Sequence, residues 1–214
     1  MVKKQPPNVI CTMHGDTDDV IVIGGHFDHV SKGDGVIDNW SGASLLPSLY
    51  MSLSGFPVHH TFVFIGFMGE EQSMLGSKFY VKHLSREQRS KIKAMVNLET
   101  LGLSSTEVWA THADKELLNS LFGVAKYLKL PLSSVNVDRV GTTDSESFAE
   151  AKIPRITIHS LTQDTLEVLH SPKDQLSAVK FPEYYDSYRL IAGYIAYLDT
   201  KLESSTASTT QNSK

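Results

Sequence analysis

Short, wholly apolar runs alternate along this chain with longer segments of helical periodicity. The runs at 20–25 and 61–66 are built from β-branched, aromatic and glycine residues, and each ends in glycine. A strand is apolar at every position only when both faces of its sheet are covered, so these runs predict buried central strands. Further strands are predicted at 94–98 and 153–158, and a weaker one at 107–110.

Helical patterns lie between these strands, at about 41–54, 73–84, 115–128 and 182–202. Pro47 falls inside the first pattern, where its missing N–H removes a backbone hydrogen bond, so this helix should either kink or begin later. Strands that alternate with helices predict an α/β domain with helices on both faces of one sheet.

The composition of the chain indicates how many domains it forms and where the domain ends. Of the 214 residues, 41% are hydrophobic, which is enough apolar material for a single core. Residues 204–214 are nearly all Ser, Thr, Gln, Asn and Lys, and such a segment cannot bury enough apolar area to offset the entropy of ordering. We therefore predict one domain at 1–203, followed by a disordered tail at 204–214.

Charge and hydropathy argue against several functions. The formal net charge is -4 and the Lys and Arg residues are scattered, so we expect no nucleic-acid partner. No run approaches the roughly 18 apolar residues of a membrane helix, so we expect no membrane partner, and residues 1–7 lack the apolar segment of a signal peptide. The single cysteine, Cys11, lies in an apolar-leaning run and is predicted to be a small buried side chain.

Acidic and imidazole side chains follow three of the predicted strands. His26 and Asp28 come after the first, Glu70 and Glu71 after the second, and Glu99 after the third. Chemistry in such a sheet collects beyond the carboxyl ends of its strands. Zinc accepts imidazole and carboxylate ligands, and two zinc ions roughly 3.5 to 4 Å apart need one carboxylate that bridges them. The pattern predicts a metal site at this edge of the sheet.

Five short motifs carry a family resemblance. In chain order they are Gly-Gly-His-Phe-Asp at 24–28, Asp-Asn-Trp-Ser-Gly-Ala at 38–43, Gly-Glu-Glu at 69–71, Asn-Leu-Glu at 97–99 and His-Ser-Pro-Lys-Asp at 170–174. Together they resemble the co-catalytic zinc aminopeptidases, such as bacterial leucyl aminopeptidases, from about residue 8 to about residue 198. That family also includes glutamate carboxypeptidases, glutaminyl cyclases and the catalytically silent transferrin receptor ectodomain. The predicted fold is a three-layer α/β/α sandwich with a mixed, mostly parallel central sheet.

The resemblance implies two Zn²⁺ ions per chain, held by five ligands. Asp38 would be the carboxylate that bridges the two ions. His26 and Glu99 would complete one metal position, and Glu71 and His170 would complete the other.

The same resemblance gives roles to four residues beside the ligands. Asp28 would accept the second ring proton of His26 and fix its tautomer. Glu70 would be the general base, taking a proton from a water between the metals and returning it to the leaving amine. Asp144 lies in the place of the family's Ser-Asp-His segment, which here lacks the histidine, and is expected near the substrate. His159 ends a strand at the same rim, where its ring could stabilise an oxyanion.

Two details of the ligand set lead to further expectations. The resemblance implies a cis peptide bond between Asp38 and Asn39, which aims the bridging carboxylate. Glu99 stands where aminopeptidases of the family usually have Asp, so its side chain is one methylene longer. Because zinc-to-oxygen distances are fixed near 2 Å, the longer side chain must fold back, bind through a different oxygen or push the metal away from Asp38. We therefore predict that the metal shared by His26, Asp38 and Glu99 is the more weakly bound of the two and leaves first.

The leading hypothesis is an aminopeptidase that hydrolyses the N-terminal bond of peptide substrates. One alternative is a glutaminyl cyclase, which uses a single zinc on a similar scaffold. Another is a carboxypeptidase, which needs a cation for the terminal carboxylate of its substrate, with Arg139 or Arg155 as the candidate. A non-catalytic binding module is disfavoured, because buried acids without a metal would be costly.

Relatives of this kind usually carry a region before the first motif strand, whereas this chain begins close to that strand. We expect a sheet edge that lacks its neighbouring strand, and a monomer or a weak homodimer formed through that edge. The resemblance favours a secreted or periplasmic location.

Overall fold

The computed structural model describes residues 8–137 and 141–202. Within these residues, a seven-stranded sheet forms the centre of the fold. The strands, in chain order, are β1 (Val9–Met13), β2 (Val20–His26), β3 (Thr61–Phe67), β4 (Ile92–Leu98), β5 (Glu107–Val108), β6 (Ser133–Ser134) and β7 (Arg155–His159). Their order across the sheet is β1-β3-β2-β4-β7-β5-β6.

The four central strands β3, β2, β4 and β7 are mutually parallel. On one side of them, β1 runs antiparallel to β3. On the other side, β5 runs antiparallel to β7 and β6 runs parallel to β5. The sheet is therefore mixed and mostly parallel, as the sequence predicted.

Helices cover both faces of this sheet. They are α1 (Ser41–Ala43), α2 (Leu45–Leu53), α3 (Leu75–His83), α4 (Arg86–Lys91), α5 (Lys115–Leu128), α6 (Ser145–Glu150) and α7 (Phe181–Lys201). Helices α2, α5 and α7 share one hydrophobic core with Ile21 and Ile23 of β2. Helices α3 and α6 share a second core, which includes Val22 of the same strand. Successive residues of β2 thus enter opposite cores, which explains its wholly apolar sequence and confirms the three-layer prediction.

The first predicted helix is broken, as its proline required. Helix α1 ends at Ala43 and α2 begins at Leu45. Pro47 is the third residue of α2, where the backbone N–H has no partner within the helix in any case. The proline therefore occupies a place where it costs little.

The N-terminal strand was missed, and the prediction for its cysteine was wrong. Cys11 is exposed, because β1 is an edge strand in which four of the five residues are exposed. This strand pairs with β3 along Val9–Met13 and is the outer strand on that side of the sheet within the described residues. Helices α4 and α6 were also missed, since six residues are too few to show a helical period.

Two further observations bear on the sequence predictions. In the described part of the chain, no helix is both long and apolar enough to cross a membrane. The predicted tail at 204–214 lies outside the described residues, so it remains a prediction.

Candidate metal centre

The chemistry-bearing residues arrive at one edge of the sheet on its parallel strands. His26 is the last residue of β2, and Glu99 directly follows β4. Glu70 and Glu71 lie in the turn after β3, and His159 ends β7. Because parallel strands place their carboxyl ends at the same edge, four segments distant in sequence meet there.

All five predicted ligands come together in two overlapping groups. In the first group, the Nε2 atom of His26 lies 3.2 Å from Asp38 Oδ1 and 3.2 Å from Glu99 Oε1. In the second, the Nε2 atom of His170 lies 3.2 Å from Asp38 Oδ2 and 3.1 Å from Glu71 Oε2. Each group could hold one metal ion. Asp38 belongs to both groups, with one oxygen facing each histidine.

The donor spacing fits zinc. Two ligand atoms bound tetrahedrally at about 2.0 to 2.1 Å lie roughly 3.3 Å from one another. The nitrogen-to-oxygen distances here are 3.1 to 3.2 Å. Imidazole nitrogens and carboxylate oxygens are also ligand types that zinc accepts.

The irregular turn at Val36–Trp40 presents Asp38 to both histidines. Its Asp38–Asn39 peptide bond is cis, as the resemblance implied. The fully buried side chain of Asn39 ties this turn to the end of β4. It donates to the carbonyl of Leu98 at 2.8 Å, and its oxygen accepts the N–H of Thr100 at 3.0 Å.

Asp28 does not make the contact that the sequence predicted. The Nδ1 atom of His26 lies 3.0 Å from the backbone carbonyl of Asp28, whereas the nearest carboxylate oxygen is 3.6 Å away, beyond hydrogen-bond distance. The ring proton of His26 therefore goes to a main-chain oxygen. The carboxylate of Asp28 instead accepts the backbone N–H groups of Glu70 at 3.1 Å and Glu71 at 3.2 Å.

Glu70 faces the same cavity as the ligands but belongs to neither donor group. Burial, together with the negative charges of Glu99, Asp144 and Glu71, raises the pKa of Glu70 to about 9. An acid beside the metal positions that does not ligate a metal can exchange protons with a reacting water, as the predicted general base requires.

The carboxylates around the two histidines favour the protonated form of both rings. A hydrogen bond to Asp38 is the largest contribution that raises the pKa of His170 to about 9. Burial alone would lower the pKa of His26, but the charge of Glu99 and hydrogen bonds to nearby carboxylates raise it well above its usual value. Burial would raise the pKa of Asp38, but hydrogen bonds from both histidines lower it. Metal binding must therefore release protons from the histidines.

A cavity opens over the acids and has two kinds of wall. One part is apolar and is formed by Trp109, Val137, Leu161 and Leu169. Another part is lined by four threonines, Thr100, Thr142, Thr143 and Thr157. Among the described residues that line it, none is Lys or Arg. These walls could not be predicted from the sequence, because the lining residues come from separate loops and strands.

The two predicted substrate residues have other surroundings. Asp144 is fully buried and does not line the cavity, so it does not reach a substrate there. Burial raises its pKa to about 7. His159 does line the cavity, but its Nδ1 accepts the N–H of Leu161 at 3.0 Å and its Nε2 lies 3.0 Å from the carbonyl of Val135. With both ring nitrogens engaged, the predicted donor role toward an oxyanion does not fit this arrangement.

Of the two arginines named above as candidates to bind a substrate carboxylate, one lies away from the cavity. Arg155 donates to Glu146 at 2.9 Å and to the carbonyl of His112, and it is absent from the cavity lining. Arg139 lies outside the described residues. The described cavity therefore has no cation of the kind that a carboxypeptidase requires.

Curated relatives of this chain are aminopeptidases. The chain is 28% identical to aminopeptidase YwaD of Bacillus subtilis (strain 168) over 173 residues, which cover 75% of this chain and 37% of that protein. It is 33% identical to aminopeptidase Y of Saccharomyces cerevisiae over 101 residues, which cover 47% of this chain and 19% of that protein. The chain thus spans less than half the length of these relatives.

Solved structures share the fold of this chain, and a family model matches most of its sequence. The zinc aminopeptidase BSAP from Bacillus subtilis superposes with a TM-score of 0.82 at 23% identity, over 92% of this chain and 51% of that chain. A glutaminyl cyclase from an Acidobacteriales bacterium has a TM-score of 0.77 at 20% identity, over 90% of this chain and 73% of that chain. At these identities the likeness shows a common fold. The sequence model of Peptidase family M28 matches residues 8–195, and the chain belongs to that family.

Proposed function

We propose that this chain is an aminopeptidase that holds two Zn²⁺ ions and removes apolar residues from the N-terminus of peptides. The single observation that carries the proposal is the orientation of Asp38. Its two oxygens lie 3.2 Å from two different histidine nitrogens, which is what a carboxylate shared by two adjacent metals requires. The zinc-dependent relative BSAP supports the choice of metal.

The residues of the chain divide the chemistry between them. When bound, zinc would act as a Lewis acid toward the scissile carbonyl and make water a nucleophile near neutral pH. His26, Glu99, Glu71 and His170 would hold the two ions on either side of Asp38. Glu70 would take a proton from the attacking water and pass it to the amine that leaves.

The groups that line the cavity favour a substrate with a free amine. Four carboxylates line the cavity, from Asp38, Glu70, Glu71 and Glu99, and no Lys or Arg does so among the described residues. Two Zn²⁺ ions would offset these four negative charges in sum, so the preference rests on the groups that can bind each end of a peptide. A carboxylate oxygen can accept hydrogen bonds from an N-terminal ammonium group, whereas no Lys or Arg among the described lining residues could bind the C-terminal carboxylate of a carboxypeptidase substrate.

The apolar wall suggests which first residue is preferred. Trp109 and Leu161 are almost fully buried beside the cavity, and Val137 and Leu169 extend the same wall. A leucine or phenylalanine side chain would bury apolar surface there, and each buried methylene contributes about 0.8 kcal/mol. A lysine or aspartate side chain would lose hydration against this wall, where none of the four residues carries a charge.

Metal analysis and a substrate panel test the proposal together. Zinc-loaded protein is assayed with the p-nitroanilides of Leu, Phe, Lys and Asp, and with N-acetyl-Leu p-nitroanilide as the matched control for the free amine. We expect two zinc ions per chain, hydrolysis of the Leu and Phe compounds, and no hydrolysis of the acetylated one. Glu70→Gln protein should lose this activity while retaining its zinc.

Other outcomes identify the alternatives. A single zinc per chain, with cyclisation of a glutaminyl peptide and no anilide hydrolysis, would establish a glutaminyl cyclase. Hydrolysis of the acetylated substrate as fast as the free one would remove the role given to the amine. Zinc binding without turnover of any substrate would indicate a binding module. The proposal of a monomer or weak homodimer is tested separately, by sedimentation over a range of concentrations.

A further inference from the structure

The loops that carry Asp38 and His170 must keep a fixed position relative to one another, because one carboxylate serves both metal positions. Asp38 lies in the turn at Val36–Trp40 after β2. His170 lies in the connection between β7 and α7. Neither residue belongs to a strand of the sheet, so ladder hydrogen bonds do not fix either one.

Asp174 connects these two loops. Its side chain is almost fully buried, with 2% exposure. One carboxylate oxygen accepts the backbone N–H of Ile37 at 2.6 Å, and the other accepts the N–H of Asp38 at 3.3 Å. The backbone carbonyl of Asp174 also accepts the N–H of Asp34 at 2.8 Å. Three hydrogen bonds therefore join Asp174 to the segment that leads into the ligand turn.

The two loops also approach one another too closely for a side chain at Gly33. A Cβ atom there would lie 2.4 Å from the carbonyl oxygen of Ser171 and 3.0 Å from the Cβ of Asp174. Gly33 also has a φ of +84°, a conformation that glycine adopts readily. The contact therefore runs from Gly33 to Asp38 on one loop and includes Ser171, next to His170, on the other.

We propose that Asp174 is a positioning residue that aims the carboxylate of Asp38 between the two metal positions. It acts through the backbone of Ile37 and Asp38 and does not ligate a metal itself. The inference rests on the proposed two-zinc function. An ionised carboxylate is suited to the task because it accepts two N–H groups at once without donating to either.

Asp174→Asn is the sharpest perturbation. The amide keeps the size of the side chain and one acceptor oxygen, but it points an NH₂ group at the other backbone N–H. The turn must then shift, and Asp38 moves relative to both histidines. We expect both zinc affinities to fall by about 10-fold to 100-fold, the usual effect of losing a partner that orients a ligand. Asp164→Asn, an exposed position in the same connection, is the matched control.

Isothermal titration of metal-free protein measures the two affinities, and the absorption spectrum of cobalt-loaded protein reports the coordination geometry. Thermal unfolding of the metal-free protein checks the fold. Weaker binding at both positions with an altered cobalt spectrum supports the proposal. Wild-type affinities in Asp174→Asn, with only a lower Tm, would overturn it, because a purely structural role changes stability alone.

A measurement on the wild-type protein covers the case in which the variant does not fold. In the metal-free protein, hydrogen exchange should show that the amides of Ile37 and Asp38 are protected. Rapid exchange at both amides would also overturn the proposal. Failure of the proposed function looks different, since the wild-type protein would then bind one metal or cleave no aminoacyl anilide.

Discussion

Glu99→Asp should empty the buried metal position selectively. Glu99 is 7% exposed, and its Oε1 lies 3.2 Å from His26 Nε2, the same distance as Asp38 Oδ1. Its other oxygen accepts from the side chain of Asn97 at 3.3 Å. The longer side chain thus brings its Oε1 as close to His26 as Asp38 is, and a shorter one would fall short.

The size of the effect follows from this geometry. Removing one methylene withdraws the carboxylate by up to about 1.5 Å, one carbon–carbon bond. Since a zinc–oxygen bond must be about 2.0 to 2.2 Å long, the withdrawn oxygen no longer reaches a metal beside His26. We expect zinc affinity at this position to fall by about 100-fold or more, the upper end of the loss seen when a partner that merely orients a ligand is removed.

Competitive titration of metal-free protein with zinc gives both affinities, and anomalous diffraction identifies the position that empties first. Glu71→Asp is the matched control, because it makes the same change in the other donor group and should weaken the His170 position instead. In the parent protein, the His170 metal should leave first, since this side chain is 55% exposed and that of His26 is 1% exposed. Two unchanged affinities in Glu99→Asp would refute this reasoning, and loss from the His26 position first in the parent would restore the expectation drawn from sequence.

Three other predictions follow from the structure. Glu70→Gln should lower kcat by roughly 100-fold or more, the scale of a lost general base, with zinc content unchanged; an active variant would exclude that role. In metal-free protein, Glu70 and His170 have folded pKa values of about 9 against usual values of 4.5 and 6.5. The folded state therefore holds more protons than the unfolded state between pH 6.5 and 9, so Tm should fall as the pH rises through this range, and a flat profile of Tm against pH would contradict this. Phe148→Ala should reduce the free energy of unfolding by about 3 to 5 kcal/mol in urea, because Phe148 is fully buried against Phe67 and Tyr80, whereas exposed Phe79→Ala should change it little.

The parallel core of the fold could be predicted because its strands are apolar throughout. Strand β3 is buried at all seven positions, and that pattern is visible in the sequence. Strand β1 was missed although its segment is apolar-leaning, because Thr12 interrupts the apolar run and four of the five residues are exposed at the sheet edge, unlike those of a strand covered on both faces. The two-residue strands β5 and β6 are defined by their pairing alone.

For the site as well, features carried by short motifs could be predicted from the sequence, and contacts between residues far apart in the chain could not. The candidate ligands lie in short motifs that can be read from sequence, although their metal-binding roles stay a prediction. The surroundings of His159 could not be read, because its ring contacts the carbonyl of Val135 from a distant loop. The partner of His26 Nδ1 was misassigned to the carboxylate of Asp28, since a sequence cannot distinguish a side-chain oxygen from a backbone oxygen of the same residue.

Three polar side chains, two of them buried and that of Asp28 partly buried, stabilise the backbone of the turns that carry the ligands. Asn39 binds main-chain groups at the end of β4, Asp28 binds the N–H groups of Glu70 and Glu71, and Asp174 binds those of Ile37 and Asp38. Burying such groups is costly unless they are hydrogen-bonded, and each of these bonds fixes a loop that the sheet ladder does not reach. Because Asp38 must satisfy two metal positions at once, small movements of these turns affect both positions. The polar groups behind the ligands should therefore control metal occupancy more strongly than they control the stability of the fold.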